Sequence, residues 1–354
     1  MGEGFEMRTG EYTVSPIETP EDGTKTKAVA QAVFGRGASV LLPRELDWGF
    51  YAHKEEDYVG GVLLEKMAPG EGVLSWIFVD SGAQGHKLGS RLLEAGIHAM
   101  DEEGLKTQFS LVRADNTASW NMFAKNGYTR PSVLKSLFGY SVKGLLKRFG
   151  YSLATGYSTW VRDDSRDNAS VHPKRWAIVK SLLFSLFIGA ALSLFSLRGI
   201  EFFFIGMAMV AGITALRMLV AYPIARMSGP VRFDAPQGGT PLSVILALAF
   251  GAWWPTFGFF VPKADIWRDR EFARYNGMQA FATWMSLVLV YVAMSFLYPG
   301  VFHAGLDSIL TLIIIYQVIP FFPFDGMDGA KVLNYSKVLY AVGVVVSVLG
   351  IVLF

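Results

Sequence analysis

No cysteine occurs among the 354 residues. That excludes disulfides, thiolate zinc sites and a cysteine nucleophile, and it leaves the redox compartment open. Charge of one sign is also lacking, for the formal net charge is only +2, so bulk electrostatics give no case for nucleic acid. The opening stretch MGEGFEMRTGEYTV has no apolar core of the kind a signal peptide needs. It also lacks the Ser or Thr that N-myristoylation requires near the start. The first half is therefore expected to stay in the cytoplasm.

What is abundant is apolar residue. The hydrophobic fraction is 52% and the mean hydropathy is +0.34, high for a soluble chain. The distribution is uneven. Residues 1–162 read as a mixed, charged globular domain, 163–175 (DDSRDNASVHPKR) as a polar linker, and 176–354 as a membrane domain with long apolar runs and few charges.

In the soluble half, EYTVSPIET is strand-like, TKAVAQAVF is helical, and DWGFYAHKE, YVGGVLLEKM and GVLSWIFVD are three successive strands with Gly or Pro between them. GSRLLEAGIHAMDEEG is an amphipathic helix with Leu92, Leu93, Gly96 and Met100 near one face and Gly104 as a stop. TQFSLVRAD is another strand, and ASWNMFAKNGY a short helix closed by Gly127. GYSLATGYSTWVRD reads as the last strand. At IFVDSGAQGHKLGSRLL a strand runs through a glycine-containing loop into a helix. N–H groups exposed at such a helix start suit a pyrophosphate, although the same pattern also serves a plain strand-loop-helix turn.

This junction resembles the first signature of the GNAT-type N-acetyltransferases, Gln/Arg-x-x-Gly-x-Gly/Ala, with Gln84, Lys87 and Gly89 in its places. Asn116, Ser119, Phe123, Lys125, Gly127 and Tyr128 follow the family's downstream Asn-x-x-Ala/Ser … Tyr-x-Lys-x-Gly-Phe/Tyr. The resemblance covers roughly residues 11–162 and implies an α/β mixed sheet that binds acetyl-coenzyme A as a substrate. It places the coenzyme on Gln84, Gly85, His86, Lys87, Leu88, Gly89 and Ser90, with Asn116 and Ser119, and the pantetheine arm beside Ser75–Asp80. Acyl transfer then needs a base for the acceptor amine and an acid for the departing thiolate. Asp80 and Glu65 are the candidate bases and Tyr128 the nearest phenol, although the resemblance implies that this position more often packs in the core; His86 and His98 read as surface residues. Two departures stand out. Lys87 replaces a glycine, and Phe123 replaces a tyrosine that can donate a proton. Between them and the last strand, PSVLKSLFGYSVKGLLKRF (131–149) alternates apolar and basic residues at helical spacing, which suits either a helix lying on an anionic membrane surface or one packed on the soluble domain.

The membrane half has six apolar runs: Trp176–Leu197, Ile200–Tyr222, Leu242–Val261, Met278–Leu297, Ser308–Ile319 and Val338–Phe354. Six crossings from a cytoplasmic N-terminus would put Lys263, Arg268, Arg270, Arg274, Lys331 and Lys337 outside, against the positive-inside rule. Letting LSVILALAFGAWWPTFGFFVP enter and leave on one side returns all six to the cytoplasm. The expectation is an all-α polytopic domain with five crossings, one re-entrant hairpin and an outside C-terminus.

YQVIPFFPFDGMDGAK resembles the second active-site motif of the site-2 protease family of intramembrane metalloproteases, Asn-x-x-Pro-x-x-Pro-x-Asp-Gly. Gln317, Pro320, Pro323, Asp325 and Gly326 fall in register, and a second Asp-Gly, Asp328–Gly329, follows. The family's zinc-binding His-Glu-x-x-His is absent. Its place falls on RMLVA, with Arg217 for the first histidine, Met218 for the glutamate and Ala221 for the second histidine. The resemblance implies a protease-like scaffold with no metal and no zinc chemistry. Arg217, set in the middle of an apolar run, is expected to pair with Asp325 across the former metal position, the alternative being that it snorkels or lines a wet cavity.

Together these readings give a membrane-anchored acetyltransferase acting on an amine, in contact with membrane lipid. The alternative is an acyl-coenzyme A sensor or scaffold whose membrane half grips a transmembrane protein partner.

Overall fold

A computed structural model describes residues 7–39, 42–43, 46, 48–113, 116–131, 135, 139–141, 157–163, 176–196, 200–235, 239–263, 269–301, 307–321, 324 and 326–354. The chain divides into two compact units. One comprises Met1–Val112, Trp120–Arg148 and Thr159–Val171, and the other Arg113–Ser119, Phe149–Ser158 and His172–Phe354. Most of 131–149, and residues 164–175, lie outside the described residues, as does Asp325.

The first unit is built on a seven-stranded sheet in the order β1 to β7. β1 (Met7–Thr9), β2 (Tyr12–Pro16), β3 (Gly49–Lys54), β4 (Asp57–Ala68) and β5 (Glu71–Val79) pair antiparallel in succession. β6 (Thr107–Arg113) joins β5 in parallel, and β7 (Tyr157–Arg162) closes the order. The three consecutive strands expected from the sequence are β3, β4 and β5; the short β1 has too few residues to show a pattern.

Helices cover both faces. α1 (Pro20–Ser39) lies on the face carrying Leu63 and Phe78, where Ala30 and Ile17 complete a buried cluster. α2 (Leu88–Glu102) lies on the other face, its Gly96 set within reach of Val62, Leu64 and Leu74. Successive strand residues point to opposite faces, so Val62 and Leu63 serve different helices. Leu92, Leu93 and Met100 of α2 are fully buried, each side chain contributing about 1.5–3 kcal/mol by leaving water. α3 (Thr117–Lys125) carries Trp120 and Phe123 into the core.

The second unit is mostly helical, in the order α4 (Ala177–Ser196), α5 (Ile200–Arg226), α6 (Thr240–Phe250), α7 (Asp269–Leu297), α8 (Asp307–Val318), α9 (Asp328–Tyr335) and α10 (Lys337–Leu353). α4, α5 and α7 contain apolar stretches long enough to cross a membrane: Ala177–Leu194, Phe203–Arg226 and Arg270–Leu297. α8 and α10 are apolar but shorter.

The unit is not all-α, which corrects the expectation. β8 (Val231–Asp234) and β9 (Phe259–Pro262) form a two-stranded antiparallel sheet, with Asp234 opposite Phe259 and Val231 opposite Pro262. VRFD and FFVP are short and contain β-branched and aromatic residues; FFVP overlaps an apolar run read as a whole for hydropathy, and VRFD lies between two runs. The ladder also explains a path. α6 leaves after β8 and ends at Gly251, and the chain returns without helix through Trp253 and Pro255 to β9. The excursion thus starts and finishes at one place.

Candidate functional site

In the first unit the site grows from the end of β5. The Asp80 N–H donates to the Val59 carbonyl (2.7 Å), which fixes where the strand stops. The Asp80 carboxylate then accepts from the Gly82 N–H (2.8 Å) and caps the short turn Ser81–Ala83. Gly85 takes φ +90° with nothing within 4 Å of a built Cβ, a backbone state open to glycine and strained in other residues. Lys87 itself sits at φ 59°, immediately before α2, and supplies no side-chain cap. The first N–H groups of α2 therefore have no intrahelical acceptor. With the helix dipole behind them, they form a positive end suited to an anion. Gln84, Gly85, His86 and Lys87 are exposed, Gly89 and Ser90 partly so, and Leu88 is buried as the anchor.

β5 and β6 part at the same end. Their parallel pairing runs from Glu71 opposite Thr107 to Leu74 opposite Ser110. Beyond that, β5 continues to Val79 and β6 to Arg113 without pairing to each other among the described residues. Ser110, buried at the fork, donates its hydroxyl to the Leu74 carbonyl (3.1 Å). Past Leu74 the β6-facing edge of β5 carries backbone N–H and C=O groups with no ladder partner from β6 among the described residues. From that edge the chain runs through the turn Ser81–Ala83 to the α2 N-terminus.

The residues singled out from the sequence fall in different places. Asp80 stands at the end of β5, directly after the edge left open by β6. Glu65 is partly exposed on β4, opposite Val73, on the paired side of the fork. Tyr128 is fully buried. Its hydroxyl bonds Gln108 (3.3 Å), its ring packs edge-on against Phe123 at 5.0 Å, and burial pushes its pKa upward. It is a core residue, and Phe123 is its packing partner. Asn116 accepts the Ser119 N–H on its side-chain oxygen (3.0 Å), which makes it the N-cap of α3. His86 lies against the Tyr12 ring, and His98 sits exposed beside Glu102.

In the second unit, Arg217 of α5 is 7% exposed and its guanidinium meets Asp328, the first residue of α9, end-on. Nη2 donates to Oδ1 at 3.0 Å, and Nη1 lies 2.7 Å from Oδ2. Asp325, the expected partner, lies outside the described residues, and the second Asp-Gly supplies the carboxylate that the structure pairs. Asp328 is held on every side. Thr283 of α7 donates to Oδ2 (2.8 Å), and the Asp328 N–H donates to the side-chain oxygen of Gln317 (3.1 Å). Gly329 follows because nothing larger fits: a Cβ there would stand 1.9 Å from the Gln317 carbonyl oxygen. The ring of Phe257 covers the guanidinium, with Cζ 4.1 Å from its centroid.

Arg217, Met218 and Ala221 all line a cavity of about 50 Å³ together with Asp328. These are the positions that the His-Glu-x-x-His alignment picks out. Thr283 and Phe257 escaped the sequence reading. A signal for Thr283 was present: Asn276, Gln279, Thr283 and Ser286 are buried polar residues at three- and four-residue spacing along an otherwise apolar helix. Among the described residues, no group of three or more His, Asp or Glu could hold a metal ion.

Comparison with known proteins bears on the first unit. Residues 23–128 match the model of the acetyltransferase (GNAT) family. The N-terminal half thus carries a GNAT acetyltransferase domain over that segment. The chain is similar to the ribosomal-protein-S18-alanine N-acetyltransferase from Escherichia coli, at 17% identity, covering 45% of this chain and 99% of that one with a TM-score of 0.32. It is similar to Ard1 from Thermoplasma volcanium at 18% identity, covering 43% and 97%, with a TM-score of 0.32. A Mycobacterium tuberculosis protein in complex with CoA and NLQ is 15% identical, covering 42% and 98%, with a TM-score of 0.33. No curated protein matches the chain.

Proposed function

We propose that the protein is a membrane-anchored N-acetyltransferase that moves acetyl from acetyl-coenzyme A to an amine. The observation that carries this reading is the coincidence of two features at one end of the sheet: β5 leaves β6 beyond Leu74, and α2 begins uncapped just after β5. Within the family match, the pyrophosphate sits on the N–H groups of Leu88, Gly89 and Ser90, where dipole and open donors favour negative charge. The pantetheine lies along the open edge of Ser75–Val79 and hydrogen-bonds it. Asp80, at the end of that edge, takes the amine proton. Phe123 and Tyr128 are both core residues, so the departing thiolate takes its proton from solvent.

The test is thiol release from acetyl-coenzyme A by the full chain against a panel of primary amines. Turnover that depends on the amine supports the reading. A second reading, an acyl-coenzyme A sensor, draws on Lys87 held at φ 59° and on Phe123 where a phenol could serve as acid. It predicts coenzyme binding with no thiol release on any amine.

For the second unit we infer five crossings, by α4, α5, α7, α8 and α10, with α6 and its extended return as a re-entrant hairpin. The first unit is then cytoplasmic and the C-terminus outside. The β8–β9 ladder supports re-entry, since it joins the two ends of the excursion. α8 spans only about 18 Å as helix, so flanking chain must complete its crossing. The cavity shared by Arg217, Met218, Ala221 and Asp328 supports a site-2-protease-like scaffold in which an arginine fills the place of a metal. Such a centre holds a transmembrane partner without cutting it.

A further inference from the structure

The end-on pairing of Arg217 leaves one edge of its guanidinium unused. Asp328 accepts a hydrogen bond from Nη2 and makes an ion-pair contact with Nη1, while Nε has no hydrogen-bond partner although it is fully buried. A guanidinium offers five N–H donors, and the Nε edge is itself a fork that matches a carboxylate. Thr256, 9% exposed, lines the same cavity, and its hydroxyl is also buried without a hydrogen-bond partner. Two buried polar groups on different segments of one cavity wall, each without a partner, cost stability unless something meets them. Lys331 adds a second cation to that wall, Asn276 and Gln279 add amides, and Met218 and Phe257 are among its apolar residues. One water needs about 10–15 Å³ of such space, so about 50 Å³ admits a group of a few heavy atoms.

We propose that this cavity is a binding site for a small carboxylate group, docked side-on against Arg217 through Nε–H and the remaining Nη2–H and hydrogen-bonded by Thr256. The proposal deepens the reading of this centre as one that grips, by naming the chemistry gripped. Two sources present that chemistry: a free carboxylate anion, or a Glu or Asp side chain on a transmembrane segment of a partner.

The test uses the full chain in detergent or bicelles at fixed ionic strength. In one arm sodium formate or acetate is titrated against sodium gluconate, which is too large for the cavity, and the unfolding midpoint is read. In the other, model transmembrane peptides carrying Glu or Gln at mid-span are titrated. A saturable rise with formate or acetate alone identifies a free anion. At least tenfold tighter binding of the Glu peptide identifies a partner side chain, and both responses identify the shared chemistry. Either response must be lost in Arg217→Lys, which keeps a cation facing Asp328 but removes the second fork, and weakened in Thr256→Val. No response in either arm, or a response unchanged in both variants, overturns the proposal. Zinc content measured on the same samples separates the two readings. Stoichiometric zinc overturns the metal-free centre itself, whereas a failed carboxylate response without zinc overturns only this site.

Discussion

The N-terminal end of α2 and the Arg217–Asp328 centre are built in opposite ways. The first is made of backbone. Its donors are N–H groups at a helix start, its shape comes from Gly85 and a left-handed Lys87, and the side chains of Gln84, His86 and Lys87 face water. The second is made of side chains from α5, α7, α8 and α9, each buried and each held by another. Exposed backbone donors tolerate replacement of the residues that carry them. A buried charge does not tolerate the loss of its one partner. The two regions should therefore answer substitution very differently.

The largest effect is expected at the buried pair. Asp328→Ala strands a guanidinium in the buried interior and should cost about 3–5 kcal/mol of stability. Arg217→Met combined with Asp328→Ala should restore part of that loss in a double-mutant cycle read by denaturation in detergent. Additive losses would mean that the pair is not coupled and would erase the contrast.

At the other site, Asp80→Asn keeps the oxygen that caps the turn and removes the base. Thiol release should fall by about a hundredfold with coenzyme binding unchanged. An unaltered rate would leave Asp80 as a loop-shaping group only. Gly85→Ala forces a Cβ into φ +90° and should weaken coenzyme affinity by roughly tenfold, through a conformational cost of about 1–2 kcal/mol.

Tyr128→Phe removes one buried hydrogen bond and should cost about 1 kcal/mol of stability with turnover unchanged. A large fall in kcat would instead restore Tyr128 as the acid. The smallest effect is expected at Lys87→Gly. Relief of the left-handed backbone should be partly offset by added freedom in the unfolded chain, leaving a change of about 1 kcal/mol or less.

How far the sequence revealed each region follows from the same contrast. The α2 junction was legible because strand, glycine loop and amphipathic helix each leave a local pattern. Its fork was not, since the divergence of β5 from β6 depends on pairing between strands about thirty residues apart. Tyr128 drew notice as a phenol near a motif, but its burial against Phe123 and Gln108 is a packing fact with no local signature. In the second unit, a lone arginine in an apolar run signalled a buried charge in need of a partner. Its partner was harder to read. Asp325 and Asp328 both precede glycine, and only the packing of α9 on the end of α8, with Gly329 against the Gln317 carbonyl, brings Asp328 to Arg217. β9 was masked by the apolar run it overlaps, and β8, four residues with two charges between runs, is too short to leave a pattern.

The claim on which the functional account depends is that the α2 end of the sheet holds a coenzyme. Isothermal titration of the full chain with acetyl-coenzyme A tests it most directly. The account predicts one saturable site per chain, weakened in Gly85→Ala and unaffected by Tyr128→Phe. Absence of binding to the folded wild-type protein, or equal binding by every variant, would contradict it.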